Sequence, residues 1–190
     1  MILLVLGLAV FLGVHCVSTL PPQRAALVAR LGAGPFKIAY SLASLVGLVL
    51  IGWGFSRYRA EGMVQVWSPP AFTRHVAMTL LWFAFVALAA AYSPAGRIRG
   101  WLKHPMLAAV KIWALAHLLA NGDLGGLLLF GAFLAYAVSD RISVKRRGDA
   151  GAAPMSAFTG GDAIAVGGGT LAYVAMLYLH PALVGVAVLR

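Results

Sequence analysis

One apolar stretch decides the fold of this chain: residues 71–92 read AFTRHVAMTLLWFAFVALAAAY. Arg74, near the start, is the only Asp, Glu, Lys or Arg in the stretch, and the residues after His75 are apolar or uncharged. A helix rises about 1.5 Å per residue, so about 20 such residues cross the ~30 Å hydrocarbon core of a bilayer. We therefore predict a transmembrane helix here.

Similar stretches lie on both sides of this one, separated by short charged loops. Together they predict six transmembrane helices, at about 1–20, 36–55, 71–92, 105–120, 124–139 and 163–189. Charged residues make up 11% of the chain and apolar residues 62%, whereas a water-soluble surface needs about a quarter to a third of charged side chains. We expect an all-α fold, a polytopic membrane helix bundle of about six helices that forms one domain over residues 1–190.

Local residues refine the ends of these helices. Asp123 follows the Asn121-Gly122 turn and is expected to cap the fifth helix. Pro181 removes a backbone donor and should bend or end the sixth. Within that helix the run Gly167-Gly168-Gly169 is typical of close packing against a neighbouring helix.

The net charge of +10 is explained by membrane topology. Alternate loops are rich in basic residues, so the positive-inside rule places loops one, three and five in the cytoplasm and both termini outside. The charge is thereby assigned to lipid headgroups, and we expect no nucleic-acid partner. The expected cytoplasmic loops hold Arg24, Arg30, Lys37, Arg97, Arg99, Lys103, Arg141, Lys145, Arg146 and Arg147, and the opposite side holds Arg57, Arg59, Arg74 and Arg190.

Few residues remain that could carry chemistry. No Asp or Glu lies in the middle of a predicted span, and Asp149 and Asp162 are expected in loops, so paired-carboxylate catalysis and carboxylate-based proton transport are disfavoured. The single cysteine, Cys16, excludes an internal disulfide or a thiolate cluster within one chain. The five histidines are left.

Two of these histidines are the leading candidates for a cofactor site. His117 lies deep in the fourth predicted helix, and an ionisable residue at such depth is by default a functional candidate. It shares a helical stripe with Trp113 and Asn121, at i−4 and i+4, which is typical of a pocket lining. His15 lies near the cytoplasmic end of the first helix, and bundles hold haem by histidines on facing helices. Both are candidate axial ligands of haem iron, with a neutral histidine bonded across helices as the alternative.

The other histidines fit the membrane boundary better. His104 immediately precedes Pro105 at a helix start, and His75 and His180 lie near the outer ends of their helices. Interfacial histidines are satisfied by headgroups and water. His75 and His104 are therefore second choices as iron ligands.

A long motif links the chain to a known family. Residues 103–124 read KHPMLAAVKIWALAHLLANGDL. Together with shorter segments this motif resembles the NnrU family of bacterial membrane proteins, over the chain up to the fifth loop. The shorter segments are Gly13-Val14-His15 with Arg24, residues 44–54, Trp67-Ser68-Pro69-Pro70, Leu129-Phe130-Gly131 and Asp140-Arg141-Ile142-Ser143.

The resemblance implies a bacterial inner-membrane protein linked to nitrite and nitric oxide reduction, that is, to denitrification. The zeta-carotene isomerases of plants and cyanobacteria look like divergent relatives: integral membrane haem b proteins that isomerise a polyene through a redox-dependent change of iron ligation. Their important histidines map by motif onto His15 and His117, whereas their alternative cysteine ligand falls on Ala114 here. The resemblance implies haem b as cofactor but not that change of ligand.

Three hypotheses follow. In the first, a haem b protein acts in redox chemistry, gas sensing or isomerisation on a small apolar or gaseous ligand; if it is an enzyme, it is isomerase-like or redox. In the second, it is a non-enzymatic assembly or transport factor for denitrification enzymes. In the third, it is a methyltransferase, because its His104-Pro105 helix start resembles the isoprenylcysteine methyltransferases. Besides the lipid bilayer, the expected partners are other membrane proteins or a second copy of the chain.

Overall fold

A computed structural model describes residues 1–189; Arg190, counted above on the outer side, lies outside the described residues. Over that range the protein is built from α-helices, and a short 3-10 turn at Val17–Thr19 follows the first. In chain order the helices are α1 Ile2–Cys16, α2 Pro21–Leu31, α3 Ala33–Ala60, α4 Ala71–Tyr92, α5 Arg97–Leu102, α6 Pro105–Ala120, α7 Leu124–Arg146 and α8 Gly160–Val184.

Between residues 1 and 189, five helical segments are long and apolar enough to cross a membrane. They are α1 with its 3-10 turn, α3, α4, α7 and α8. The remaining predicted span, the fourth, is α6, which is apolar but has 16 residues that rise only about 24 Å. The predicted all-α membrane bundle of about six helices is confirmed.

Side-chain exposure on α3 is that of a helix in lipid. Leu42, Leu45, Val46, Leu48 and Val49 are each more than half exposed, at 53–58%. These residues are at positions i, i+3, i+4, i+6 and i+7, so they form one exposed apolar face of the helix. Such a helix is stable where the surrounding medium is itself apolar.

The predicted bounds are correct for α4 and α6 and too short for α3 and α7. α3 begins after Gly32, whose φ of 82° suits glycine, and continues to Ala60 instead of ending at residue 55. α7 continues beyond residue 139 to Arg146, with Lys145 and Arg146 in its last turn. Basic side chains stabilise the negative end of a helix dipole and reach the headgroups, so polar residues here do not end the helix.

The predicted last helix, 163–189, is displaced toward the N-terminus. α8 begins at Gly160, because Thr159 and Asp162 form a capping box there. It passes through Pro181 and ends at Val184, before the left-handed Gly185. The expectation that Asp162 lies in a loop is therefore wrong.

Two helices were not predicted at all. α2 and α5 lie within the first and third loops, and both segments contain basic residues. Pro21 stands in the first turn of α2, where its missing N–H costs no hydrogen bond, and none of the helix is buried.

The helices group into two compact units, which are described separately. The first contains Met1–Ser68 and Asn121–Arg147; the second contains Pro69–Ala120 and the chain from Gly148 on. The single-domain organisation stays a prediction.

In the first unit, α1 and α3 pack through glycines. A Cβ at Gly7 would lie 2.5 Å from the Ile51 nitrogen, and one at Gly47 would lie 2.7 Å from the Phe11 nitrogen. At these positions a side chain would push the backbones apart, and close approach of small residues drives helix association in lipid.

The segment before α4 holds the Asn121–Asp123 turn in the same unit. The Val66 and Trp67 N–H groups donate to the Gly122 carbonyl at 2.8 and 3.1 Å. Asp123 accepts from the Gly126 N–H at 2.8 Å, so the predicted cap of α7 is confirmed.

In the second unit, α4 packs against α6 and α8. Of the three consecutive glycines on α8, Gly169 makes the close contact: a Cβ there would lie 2.6 Å from the Val86 Cα, whereas Gly167 and Gly168 face open space. The packing predicted for this run thus depends on Gly169.

Asp162 also connects α8 to α5 in this unit. The buried carboxylate accepts hydrogen bonds from the Arg97 and Ile98 N–H groups, at 3.0 and 2.8 Å, and from the Thr159 N–H at 2.8 Å. One side chain therefore caps the first turn of two helices.

Candidate functional site

His15 lies in a cluster of aromatic rings in the first unit. Its ring stacks on Phe11, 4.2 Å between centroids, and lies 5.3 Å from the ring of Tyr40 on α3. Tyr136 of α7 meets it edge-on at 6.1 Å, and Phe133 packs on Phe11 at 5.6 Å. Three helices thus surround one half-buried imidazole.

One hydrogen bond decides which nitrogen of His15 is available to a ligand. Its Nδ1 lies 2.7 Å from the Phe11 carbonyl oxygen. Because a carbonyl only accepts hydrogen bonds, Nδ1 carries the hydrogen, and the neutral ring then has its lone pair on Nε2. Metal-binding histidines are held in the same way, by an N–H donated to a carbonyl or carboxylate.

His117 repeats this arrangement in the second unit. Its Nδ1 lies 2.8 Å from the carbonyl oxygen of Trp113, one turn earlier on α6, and the two rings are 5.1 Å apart. The side chain is half-buried. Trp113 and His117 therefore share a helix face, as the spacing predicts.

Asn121, the third member of the predicted stripe, is not on the helix. α6 ends at Ala120, and Asn121 begins the turn that leads to α7. Because Asn121 lies outside the helix, the i+4 spacing does not by itself place its side chain beside His117. Its role as a cofactor contact stays a prediction.

The second-choice histidines occupy different surroundings. His75 is exposed in the first turns of α4. His104 precedes α6 at a different place in the second unit, where its Nε2 is buried without a hydrogen-bond partner among the described residues. His180 is half-buried, with Nδ1 2.8 Å from the Val186 carbonyl oxygen.

Nothing in the sequence pointed to the aromatic residues around His15. Tyr40 and Tyr136 are far from His15 along the chain and come next to it only because α3 and α7 both pack on α1. An aromatic residue in an apolar helix is too common to point to a site by itself. Tyr136 additionally donates its hydroxyl to the His15 carbonyl at 3.4 Å, a long hydrogen bond.

Within residues 1–189, no three His, Cys, Asp or Glu side chains come together as a metal site.

The long, lipid-exposed helices define a multi-pass membrane protein. The chain belongs to the NnrU family: the family model described as NnrU protein matches residues 3–188. The resemblance found in the sequence is thereby confirmed. No curated protein and no solved structure matches the chain.

Proposed function

We propose that this NnrU-family membrane protein binds haem b, that His15 and His117 each supply an axial imidazole, and that it serves nitrite and nitric oxide reduction. The observation that carries the proposal is the setting of His15. Its Nδ1–H is held by the Phe11 carbonyl at 2.7 Å, inside a cluster of aromatic rings.

The aromatic neighbours of His15 suit a flat apolar macrocycle. Rings of Phe11, Tyr40, Phe133 and Tyr136 present faces and edges that favour aromatic contact over water. They also keep the imidazole from rotating, so that its Nε2 lone pair keeps one direction. An imidazole held in one direction is what an iron ligand requires.

The intrahelical bond also bears on the competing explanation of His15. A histidine that ties helices together donates its ring hydrogen to another helix. The Nδ1 of His15 is instead bonded four residues back on its own helix, as is that of His117. For His15 the geometry therefore favours ligation over a purely structural bond.

Bound haem b would supply a redox-active iron. Each unit has a residue that would hold such a group through an imidazole Nε2: His15 in the first, and His117, with Trp113 as an aromatic wall beside it, in the second. A polyene isomerase is the neighbouring possibility, but Ala114 has no donor atom for the alternative ligation that such an enzyme uses.

We further propose a bacterial inner-membrane location with the α1–α3, α4–α6 and α7–α8 loops in the cytoplasm. The support is the distribution of basic residues: the segment Arg141–Arg147, which forms the C-terminal end of α7, is the most basic of the chain.

The proposal is tested by haem content in matched variants of the detergent-purified protein, made with ample haem supply. His15→Ala and His117→Ala should each lose haem, whereas His75→Ala, at an exposed position, should retain it. Added imidazole should restore a haem spectrum to His15→Gly, because a free ligand can take the place of the missing side chain. Full haem content in both alanine variants would refute the ligand assignment.

A second experiment separates the assembly or transport factor from the haem protein. His15→Gln and His117→Gln preserve hydrogen bonding but not iron ligation at neutral pH. If both variants restore nitrite-dependent growth to a strain that lacks the protein, the histidines are structural and the assembly or transport hypothesis is correct. Loss of growth with normal protein levels supports haem ligation.

A further inference from the structure

A pocket in the second unit lies beside the junction of α5 and α6. It has a volume of about 430 Å³. It lies away from the Trp113–His117 pair along α6, at the helix start, and the proposed haem function does not use it. The lining residues are Ala91, Arg99, Lys103, His104, Pro105, Met106, Leu107, Gly151 and Ala152.

The charge of this lining is positive. Arg99 and Lys103 are basic, and the lining contains no Asp or Glu. Arg99 uses one N–H on the Ser93 carbonyl, at 2.6 Å, which orients the guanidinium and leaves its other donors for a ligand. The nearest carboxylate along the chain, Asp149, accepts the Gly151 N–H at 2.9 Å. The pocket therefore favours an anion.

His104 adds an unsatisfied group to the lining. Its Nε2 is buried and has no hydrogen-bond partner among the described residues. Buried polar atoms nearly always have a partner, and an exception calls for a missing ligand, ion or water. Because His104 shares the lining with two basic residues, an Nε2–H would find that partner in an anionic oxygen.

The backbone that carries these side chains is strained. Lys103 has φ 59° and ψ −50°, and the His104 N–H donates to the Leu102 carbonyl at 2.6 Å. This is a γ-turn with positive φ, a rare and costly conformation for a residue other than glycine. It is held from outside by the Ala152 N–H, which donates to the Lys103 carbonyl at 2.8 Å. Strain of this kind collects at binding sites.

Gly151 closes the pocket over His104. A Cβ at this position would lie 2.8 Å from His104 Nε2 and would also collide with the Lys103 carbonyl. Only a residue without a side chain leaves the imidazole and the strained turn in their places. Gly148 has nearly the same positive φ, 72° against 71°, but faces open space.

We propose that this pocket binds a phosphate group, through Arg99, Lys103 and His104. The oxygens of a phosphate accept from a guanidinium, an ammonium and an imidazole at once. The volume falls within the range of about 300–1,000 Å³ typical of small-molecule sites, so a phosphate ester has room as well as the free ion. The phosphate comes from a soluble ester or from a lipid headgroup.

The test is binding to the purified full-length protein in a neutral detergent. Inorganic phosphate and glycerol 3-phosphate are titrated by calorimetry, and short-chain phosphatidic acid is titrated in parallel, with phosphatidylcholine of the same chain length as control. Saturable binding of the soluble ions identifies a free phosphate. Binding of phosphatidic acid alone identifies a headgroup, and binding of none of the probes overturns the proposal.

Matched variants assign that binding to the pocket. Gly151→Ala should weaken it about tenfold or more, whereas Gly148→Ala, with the same positive φ and open space, should leave it unchanged. If Gly151→Ala does not fold, Lys103→Gly replaces it. Glycine relieves the strain of the positive φ, so this variant should unfold at a higher temperature. It also lacks the ammonium group, so it should bind phosphate more weakly. Unchanged phosphate affinity in a folded Lys103→Gly protein would refute the site, and haem content reports separately on the proposed function.

Discussion

Asp162 offers the sharpest test of how the second unit is held together. Its carboxylate accepts three backbone N–H groups, from Arg97, Ile98 and Thr159, at 2.8–3.0 Å. In Asp162→Ala these donors lose a buried, charged acceptor. The substitution thereby releases the N-terminus of α5 from α8 and removes the capping box of α8.

The size of the effect follows from these three bonds. A hydrogen bond to a charged group contributes about 1.5–3 kcal/mol, but the three donors lie at helix ends that water reaches after the change. We expect a loss of about 3 kcal/mol in the free energy of unfolding, roughly a 150-fold change in the folding equilibrium. The measurement is unfolding of the purified protein in mixed detergent and SDS micelles, followed by circular dichroism.

The matched control is Asp149→Ala. Asp149 is exposed and its carboxylate accepts a single backbone N–H, that of Gly151 at 2.9 Å. This variant should lose less than about 1 kcal/mol, as is usual at exposed positions. Equal stability of the two variants would refute the account of Asp162 as a double cap.

Two further predictions concern helix packing and topology. Gly47→Leu should separate α1 from α3 and lower the SDS concentration at which the protein unfolds. Gly52→Leu, on the same helix but with open space around it, should leave that midpoint unchanged. Equal midpoints for the two variants would contradict the close packing of α1 on α3 at Gly47. In a Cys16→Ser background, Met63→Cys should react with an impermeant maleimide in intact spheroplasts, and Asp149→Cys only after permeabilisation; the reverse pattern would invert the proposed topology.

The apolar stretches were enough to predict that the membrane helices exist. They predicted the residues at which the helices end less reliably. α4 and α6 have the predicted bounds because Pro70 and Pro105 mark their starts and a polar turn follows each. α3 and α7 run on because Arg, Lys and Asp at a membrane surface continue a helix as readily as they end one. Hydropathy cannot tell these two outcomes apart.

The candidate site was predictable only as far as single residues. His15 and His117 stand out by their depth in apolar sequence, and the helical spacing correctly placed Trp113 beside His117. The rings of Tyr40 and Tyr136 reach His15 through the packing of α3 and α7 on α1, and a single sequence carries no record of such contacts. The same is true of the Lys103–His104 pocket, which depends on Gly151 in a distant loop.

The most direct test of the central claim is the haem content of the unaltered protein. The protein is purified in detergent from haem-replete cells, and its pyridine haemochrome and reduced-minus-oxidised spectra are recorded against protein concentration. The account predicts haem b in a stoichiometric amount, with the sharp reduced bands of histidine-ligated iron. A colourless protein that is folded and restores nitrite-dependent growth would contradict the account.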